Sequence, residues 1–181
     1  MKVTRTKIDG LIIIEPNVYG DKRGYFFESF NKKTWENALG FVPEFVQDNE
    51  SMSAKDVLRG IHFQNPPDEQ GKLVRVIKGS VLDVAVDLRK NSPTYGMYEK
   101  VLLSGENKKQ FYVPAGFGHG FLTLEDDTVF SYKCTGFYNA DNEGGILFND
   151  PDLNIDWGIN NPLISEKDQH LEKFSNFASP F

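Results

Sequence analysis

Three histidines, His62, His119 and His170, are the only imidazoles in the chain, and two of them stand among unusual neighbours. His62 falls in Arg59-Gly60-Ile61-His62-Phe63-Gln64, near the cations Arg59 and Lys72 and the polar run Gln47-Asp48-Asn49. His119 falls in Pro114-Ala115-Gly116-Phe117-Gly118-His119-Gly120. An imidazole titrates near neutrality, so it can take a proton and return it at physiological pH. Any one histidine is equally at home as a hydrogen-bonded, half-buried side chain. Arg23, Arg59, Lys72 and Arg75 surround turn-rich segments, a pattern that gathers cations for an anionic ligand. Singly, each reads as a solvated surface charge. Ser165-Glu166-Lys167-Asp168 has the form of a capping box, which gives Asp168 a structural role of its own. Tyr132 lies in an aromatic strand where core packing is the default, and Lys72 follows Gly71 at a strand start. Cys134 has no base beside it in sequence and reads as a structural thiol.

The elements that must position these groups are short strands. Residues 11–15 read as a strand ended by Pro16, which cannot donate to a ladder, and residues 24–30 as a second. Asn31 is placed to cap a helix over 32–39, with Gly40 supplying the left-handed stop. Strands over 73–78 and 81–88 flank Gly79, the signal of a hairpin. The second alternates: Leu82, Val84, Val86 and Leu88 share one face, and Asp83, Ala85 and Asp87 the other. Segments 101–103, 110–113, 120–124 and 129–135 continue the series, separated by Gly, Pro, Asn and Asp clusters. A short helical pattern returns at Ser165. Strands at this spacing predict an all-β sandwich or barrel with short peripheral helices. An aromatic content of 13% agrees with many short strands.

Bulk properties narrow the class further. With 20 Lys+Arg against 26 Asp+Glu in 181 residues, the net charge is −6, which argues against a nucleic-acid binder and against capture by anionic lipid. The longest apolar run is Leu11-Ile12-Ile13-Ile14, far short of the roughly twenty residues a membrane helix needs. No secretory signal pattern opens the chain, and one cysteine excludes an internal disulfide framework and a Cys-based zinc site. The expectation is one cytoplasmic domain over 1–181.

Two motifs point to a particular barrel. Pro114-x-Gly116-x-x-His119 resembles the second cupin motif, and Gly60-x-His62-x-Gln64 a degraded first one. Metal cupins place two histidines at i and i+2 of that first strand, where alternate residues face the barrel interior together. Here the second position is Gln64, a poor transition-metal ligand, and Glu69 lies in an exposed-looking turn. The reading is no metal and no cofactor.

Longer stretches carry a more specific resemblance. They are Asp21-Lys22-Arg23-Gly24-Tyr25-Phe26-Phe27-Glu28, Gln47-Asp48-Asn49, Leu58-Arg59-Gly60-Ile61-His62-Phe63-Gln64 and Gly71-Lys72-Leu73-Val74-Arg75. Val113-Pro114-Ala115-Gly116-Phe117-Gly118-His119-Gly120-Phe121, Tyr132-Lys133-Cys134-Thr135, Asn142-Glu143-Gly144-Gly145 and Asn149-Asp150-Pro151-Asp152-Leu153 continue the set. In order from about 12 to 168, the chain resembles the dTDP-4-dehydrorhamnose 3,5-epimerases, metal-free sugar-nucleotide cupins of the dTDP-L-rhamnose route to surface polysaccharides. The resemblance implies a jelly-roll barrel and inversion at C3 and C5 of a dTDP-4-keto-6-deoxy-hexose. It implies His62 as the base, Asp168 as its orienting carboxylate, Lys72 as the cation at the C4 oxyanion and Tyr132 as the proton donor. Arg23, Glu28, Gln47, Asp48, Asn49, Arg59, His119, Glu143 and Lys167 are the implied substrate contacts, with Tyr138 on the thymine or in the core. A homodimer with exchanged N-terminal strands is also implied, and the 11–14 run fits an edge strand in need of a partner. Glu50-Ser51-Met52-Ser53 departs from the His-Ser-Arg-Ser usual in the family, which questions a phosphate contact near position 52. The rival readings are an epimerase acting at one carbon, a ketoisomerase of related fold, a metal-dependent cupin oxygenase and a non-catalytic sugar-binding cupin.

Overall fold

Thirteen strands and two short α-helices make up the computed structural model, which describes residues 1–181. Strands β1 (Lys2–Arg5), β2 (Ile12–Glu15), β3 (Tyr19–Asp21) and β4 (Gly24–Phe26) precede helix α1 (Lys32–Leu39). Strands β5 (Gln47–Ser53), β6 (Leu58–Gln64), β7 (Lys72–Lys78), β8 (Ser80–Asp87) and β9 (Tyr98–Ser104) follow. Strands β10 (Gln110–Val113), β11 (Phe117–Thr123), β12 (Thr128–Cys134) and β13 (Glu143–Gly145) come next, then helix α2 (Glu166–Gln169). Six strands form one sheet in the order β1-β2-β10-β7-β12-β5, and five form another, β13-β6-β11-β8-β9. Neighbouring strands within both sheets are antiparallel. This is the expected all-β, cupin-type jelly roll.

Three apolar layers explain why so many strand residues are buried on both faces. Inside the barrel, Val74, Val76, Phe111 and Phe130 of the larger sheet meet Val81, Ala85, Val101 and Phe121 of the smaller. Outside the larger sheet, Ile12, Ile14, Leu73 and Tyr112 lie under Trp35 and Leu39 of α1. Outside the smaller sheet, Leu58, Val84, Val86 and Leu88 lie under Ile146, Leu153, Ile155 and Trp157 of the C-terminal segment. The alternation of β8 is thus preserved with both faces covered: its aliphatic face looks outward, and Asp83, Ala85 and Asp87 look into the barrel, each fully buried. Helix α1 has the expected ends. The Asn31 side chain accepts from the Thr34 N–H at 3.1 Å, and Gly40, at φ 77°, donates its N–H to the Glu36 carbonyl.

Three expectations are corrected, and one strand goes unread in the sequence. The segments around Gly79 form no hairpin, because β7 and β8 belong to different sheets and the turn carries the chain across the barrel edge. Residues 11–14 are not an edge: β2 is paired on both sides, by β1 and β10, leaving β1 and β5 at the edges. The strand expected over 24–30 stops at Phe26 and pairs only with β3, forming a separate two-stranded hairpin that exposes Tyr19, Tyr25 and Phe26. The polar run at 47–49 opens β5, a strand without hydrophobic alternation.

Candidate active site

The barrel interior is filled at one end by the aromatic core and open at the other, where a cavity of about 490 Å3 remains. Strands β6 and β11 supply its two histidines. His62 and His119 are direct cross-strand partners. The register between these strands shifts just beyond them, and there the backbones come very close. A Cβ on Gly60, at φ 113°, would stand 2.6 Å from both the Gly120 Cα and the His119 carbonyl oxygen, so only glycine fits. That close approach sets both imidazoles at the cavity wall.

Each imidazole is held by a carboxylate. His62 Nε2 lies 2.6 Å from Asp168 Oδ1, across 106 residues of chain. Asp168 reaches it from α2, where its backbone N–H donates to the Ser165 hydroxyl at 3.1 Å. The helix cap and the contact with His62 therefore coexist: the Ser165 hydroxyl caps by accepting from the Asp168 N–H, while the Asp168 side chain reaches across to His62. Burial pushes the Asp168 carboxyl up, but hydrogen bonding and charge from His62, with the Gly60 N–H and Ser165, hold it below the usual range. An ionised carboxylate only accepts, so Nε2 carries the proton and Nδ1 is the basic atom of a neutral His62. His119 Nε2 lies 2.9 Å from Asp83 Oδ1, and this second pair is more deeply buried than the first.

Lys72, Tyr132, Arg59 and Lys167 complete the polar lining, with Ser51 and Ser165. Lys72 sits opposite Cys134 across β7 and β12, and its Nζ is 6.0 Å from the centroid of the Tyr132 ring. Burial lowers the Lys72 pKa, opposed by Cys134, Asp83 and Glu143. Burial raises the Tyr132 phenol, so it is protonated at neutral pH. Arg59 is steadied by Nε donating to the Ser53 hydroxyl at 3.1 Å. The remaining walls are apolar: Phe121, Phe130, Leu163 and Ile164.

Next to this cavity, Lys167 pairs with Glu143 at 2.5 Å, and Glu143 accepts from the Tyr138 hydroxyl at 2.7 Å. Gln47 accepts from the Tyr138 N–H and donates to Asn49, whose amide reaches the Cys134 sulfur at 3.6 Å. Three of the named residues lie elsewhere. Asp48, one residue out of phase with Gln47 and Asn49, faces the outer side of the sheet and pairs with Lys133 at 2.9 Å. Arg23 is at the tip of the β3–β4 hairpin, its side chain 84% exposed and paired with Asp21. Glu28 accepts from Asn31 at the start of α1. Glu50 and Met52 are exposed on β5, alternating with the inward Asn49, Ser51 and Ser53. Gln64, in the second ligand position of the cupin motif, accepts from the Asn139 N–H at 2.8 Å. No group of three or more His, Cys, Asp or Glu is placed to hold a metal ion. Asp83 escaped the sequence reading as a site residue, although the alternation of β8 had already set it on the polar face.

Fold and site together define a cupin-type barrel whose pocket carries groups for proton transfer. The model of the dTDP-4-dehydrorhamnose 3,5-epimerase family matches residues 5–176. A dTDP-4-dehydrorhamnose 3,5-epimerase of Shigella flexneri is 53% identical over 174 residues, 96% of each chain. The crystal structure of the epimerase from Elizabethkingia anophelis superposes with a TM-score of 0.92 at 50% identity, covering 97% of each chain. That of a Legionella pneumophila epimerase in complex with dTDP-4-keto-L-rhamnose gives 0.93 at 48% identity, covering 98% of this chain and 94% of that one. The chain belongs to the dTDP-4-dehydrorhamnose 3,5-epimerase family, whose members are isomerases.

Proposed function

We propose that the chain inverts C3 and C5 of dTDP-4-dehydro-6-deoxy-D-glucose, giving dTDP-4-dehydro-L-rhamnose. The observation that carries this reading is the His62–Asp168 pair at 2.6 Å, facing a cavity that Lys72 and Tyr132 also line. Both carbons are α to the C4 ketone. His62 Nδ1 takes the α proton, the C–H electron pair moves into the enolate, and the C4 oxygen gains charge beside Lys72. Asp168 holds the resulting imidazolium in place. Tyr132 returns a proton to the other ring face, and solvent restores the phenol and the imidazole between inversions. The dTDP moiety meets Arg59, His119 and Lys167, with Gln47, Asn49, Glu143 and Tyr138 at the rim. Arg59 suits phosphate because its planar fork meets two oxygens at once.

Arg23, Glu28 and Asp48 belong to the implied binding set but lie outside this chain's cavity. A homodimer supplies the reason for the first two: the exposed hairpin, aromatic along its strands and with Arg23 at its tip, reaches the partner's cavity and brings the adjoining segment with it. No contact to substrate is assigned to Asp48. The reading also places the protein in the cytoplasm, where a single buried thiol needs no partner, and its product among precursors of surface polysaccharide.

Proton NMR of the keto sugar incubated with the protein in D2O tests the reaction. Deuterium should enter at both C3 and C5, with inverted product, and His62→Asn should abolish exchange and product together. Uptake at one carbon only would instead make this a single-carbon epimerase.

A further inference from the structure

Asp83 is an anomaly that the mechanism leaves unused. It is fully buried, its Oδ1 is engaged by His119, and its Oδ2 has no hydrogen-bond partner at all. An ionised oxygen buried without a donor is costly, and the fold asks nothing of it. Its neighbours on the inner face of β8 are Val81 and Ala85, its cross-strand partner is Phe121, and the backbone of β8 is paired on both sides without help from any side chain. An apolar residue would fill that place at less cost. What the carboxylate does adjoin is the back of the site. It stands behind His119, and its charge is felt by Lys72, two of the polar groups that line the cavity.

We propose that Asp83 is a positioning residue for the epimerisation, fixing the orientation of the His119 ring and holding a buried negative charge behind the cavity that Lys72 lines. The inference rests on the roles given above to Lys72 and His119. Lys72 must be an ammonium to stabilise an enolate oxygen, yet burial favours its neutral form. The groups that face it are Cys134 and Tyr132 on β12, Glu143 on β13 and Asp83 on β8. Cys134 and Tyr132 are neutral at pH 7, since burial raises both, and Glu143 is engaged by Lys167 and Tyr138. Asp83 is the one buried carboxylate left to balance the ammonium. For His119, a carboxylate accepts only, so Nε2–H points at Asp83 and the ring cannot flip without losing that bond.

Two substitutions separate the functions. Asp83→Asn keeps an oxygen to accept from His119 Nε2–H and removes the charge; Asp83→Leu removes both. In Asp83→Asn the basic limb of the kcat–pH profile should move to lower pH, because Lys72 loses its counter-charge and gives up its proton sooner. At pH 8.5 kcat should fall about tenfold or more while KM changes little, since the substrate contacts of His119 persist. Asp83→Leu should lower kcat in the same way and also raise KM, and 15N spectra should show His119 leaving the Nε2–H tautomer. A purely structural Asp83 would shift the melting temperature of both variants with the basic limb and the His119 tautomer unmoved, and that result would overturn the proposal. Should neither variant fold, the 13Cε shift of Lys72 in the unaltered protein decides: protonation through pH 8 supports the proposal, and a neutral amine at pH 7 overturns it. If the unaltered protein catalyses no α-proton exchange at all, the fault lies with the proposed reaction and not with Asp83.

Discussion

Tyr132 shows how a core position can also face a cavity. Its ring packs against Phe130, itself stacked on Phe121 in the buried core, as an aromatic strand residue should, and the same residue lines the cavity. Burial keeps the phenol protonated, the state a proton donor needs. Tyr132→Phe leaves His62, Asp168 and Lys72 in place, so the enolate should still form and its proton return from the face it left. The variant should exchange α hydrogen with D2O while making little inverted sugar, and should unfold within about 1 kcal/mol of the parent protein. Deuterium uptake and configuration measured in one sample check this; unimpaired inversion would mean another acid serves the far face. At this scale the sequence was informative where residues sat in long motifs, as His62, Lys72 and Tyr132 do. The apolar lining of Phe121, Leu163 and Ile164 was not legible, because nothing local distinguishes a side chain facing a cavity from one facing packed core, and the β8 alternation set Asp83 on the polar face without showing that it meets His119.

Helix α1 was readable from its two ends, since Asn31 and Gly40 act on their own backbone and need no tertiary context. The strands were readable where apolar residues alternate or run together. Strand β5 has its inner face in a polar cavity and its outer face in solvent, so Gln47–Ser53 carries no alternation to detect. Gly79 misled for a related reason: a glycine at φ 79° reports that the chain turns, not which sheet receives it. The far end of β8 has its own device. Burial alone would raise the Asp87 carboxyl, but hydrogen bonds from Arg89, Ser92 and Thr94 outweigh it and hold the pKa down to about 2. A carboxylate with a depressed folded pKa stabilises above its unfolded value and loses that contribution as pH falls through the folded one. Asp87→Asn should therefore cost roughly 1–2 kcal/mol at pH 7, and the gap between variant and parent should close between pH 4 and 2. Urea midpoints at pH 7, 4 and 2 check it; a gap independent of pH would show that the ionised form contributes nothing.

Across the whole molecule, the β3–β4 hairpin stands apart from both sheets, and Arg23 at its tip does not line the cavity that His62 faces in its own chain. If each arm completes the partner's site, subunit mixing should reveal it. Arg23→Ala and His62→Asn would each be impaired as homodimers, yet a mixed dimer would pair one intact cavity with one intact arm. Unfolding and refolding the two together should restore activity, up to about half of the parent's per mixed dimer; no restoration would place arm and cavity in the same chain. Barrel class was legible in composition and turn spacing, but whether the arm serves a second copy is written in surfaces that meet only after folding.

The long reach between His62 and Asp168 has a consequence of another kind. Both barrel sheets are complete by Gly145, whereas Asp168 arrives on the segment that wraps the outer face afterwards. Chains emerge from the ribosome amino end first and begin to fold as they do. A nascent chain arrested between Gly145 and Asp168 would carry His62, Lys72 and Tyr132 and still lack the carboxylate that pairs with His62. Under this reading, full turnover would report that synthesis has passed Asp168.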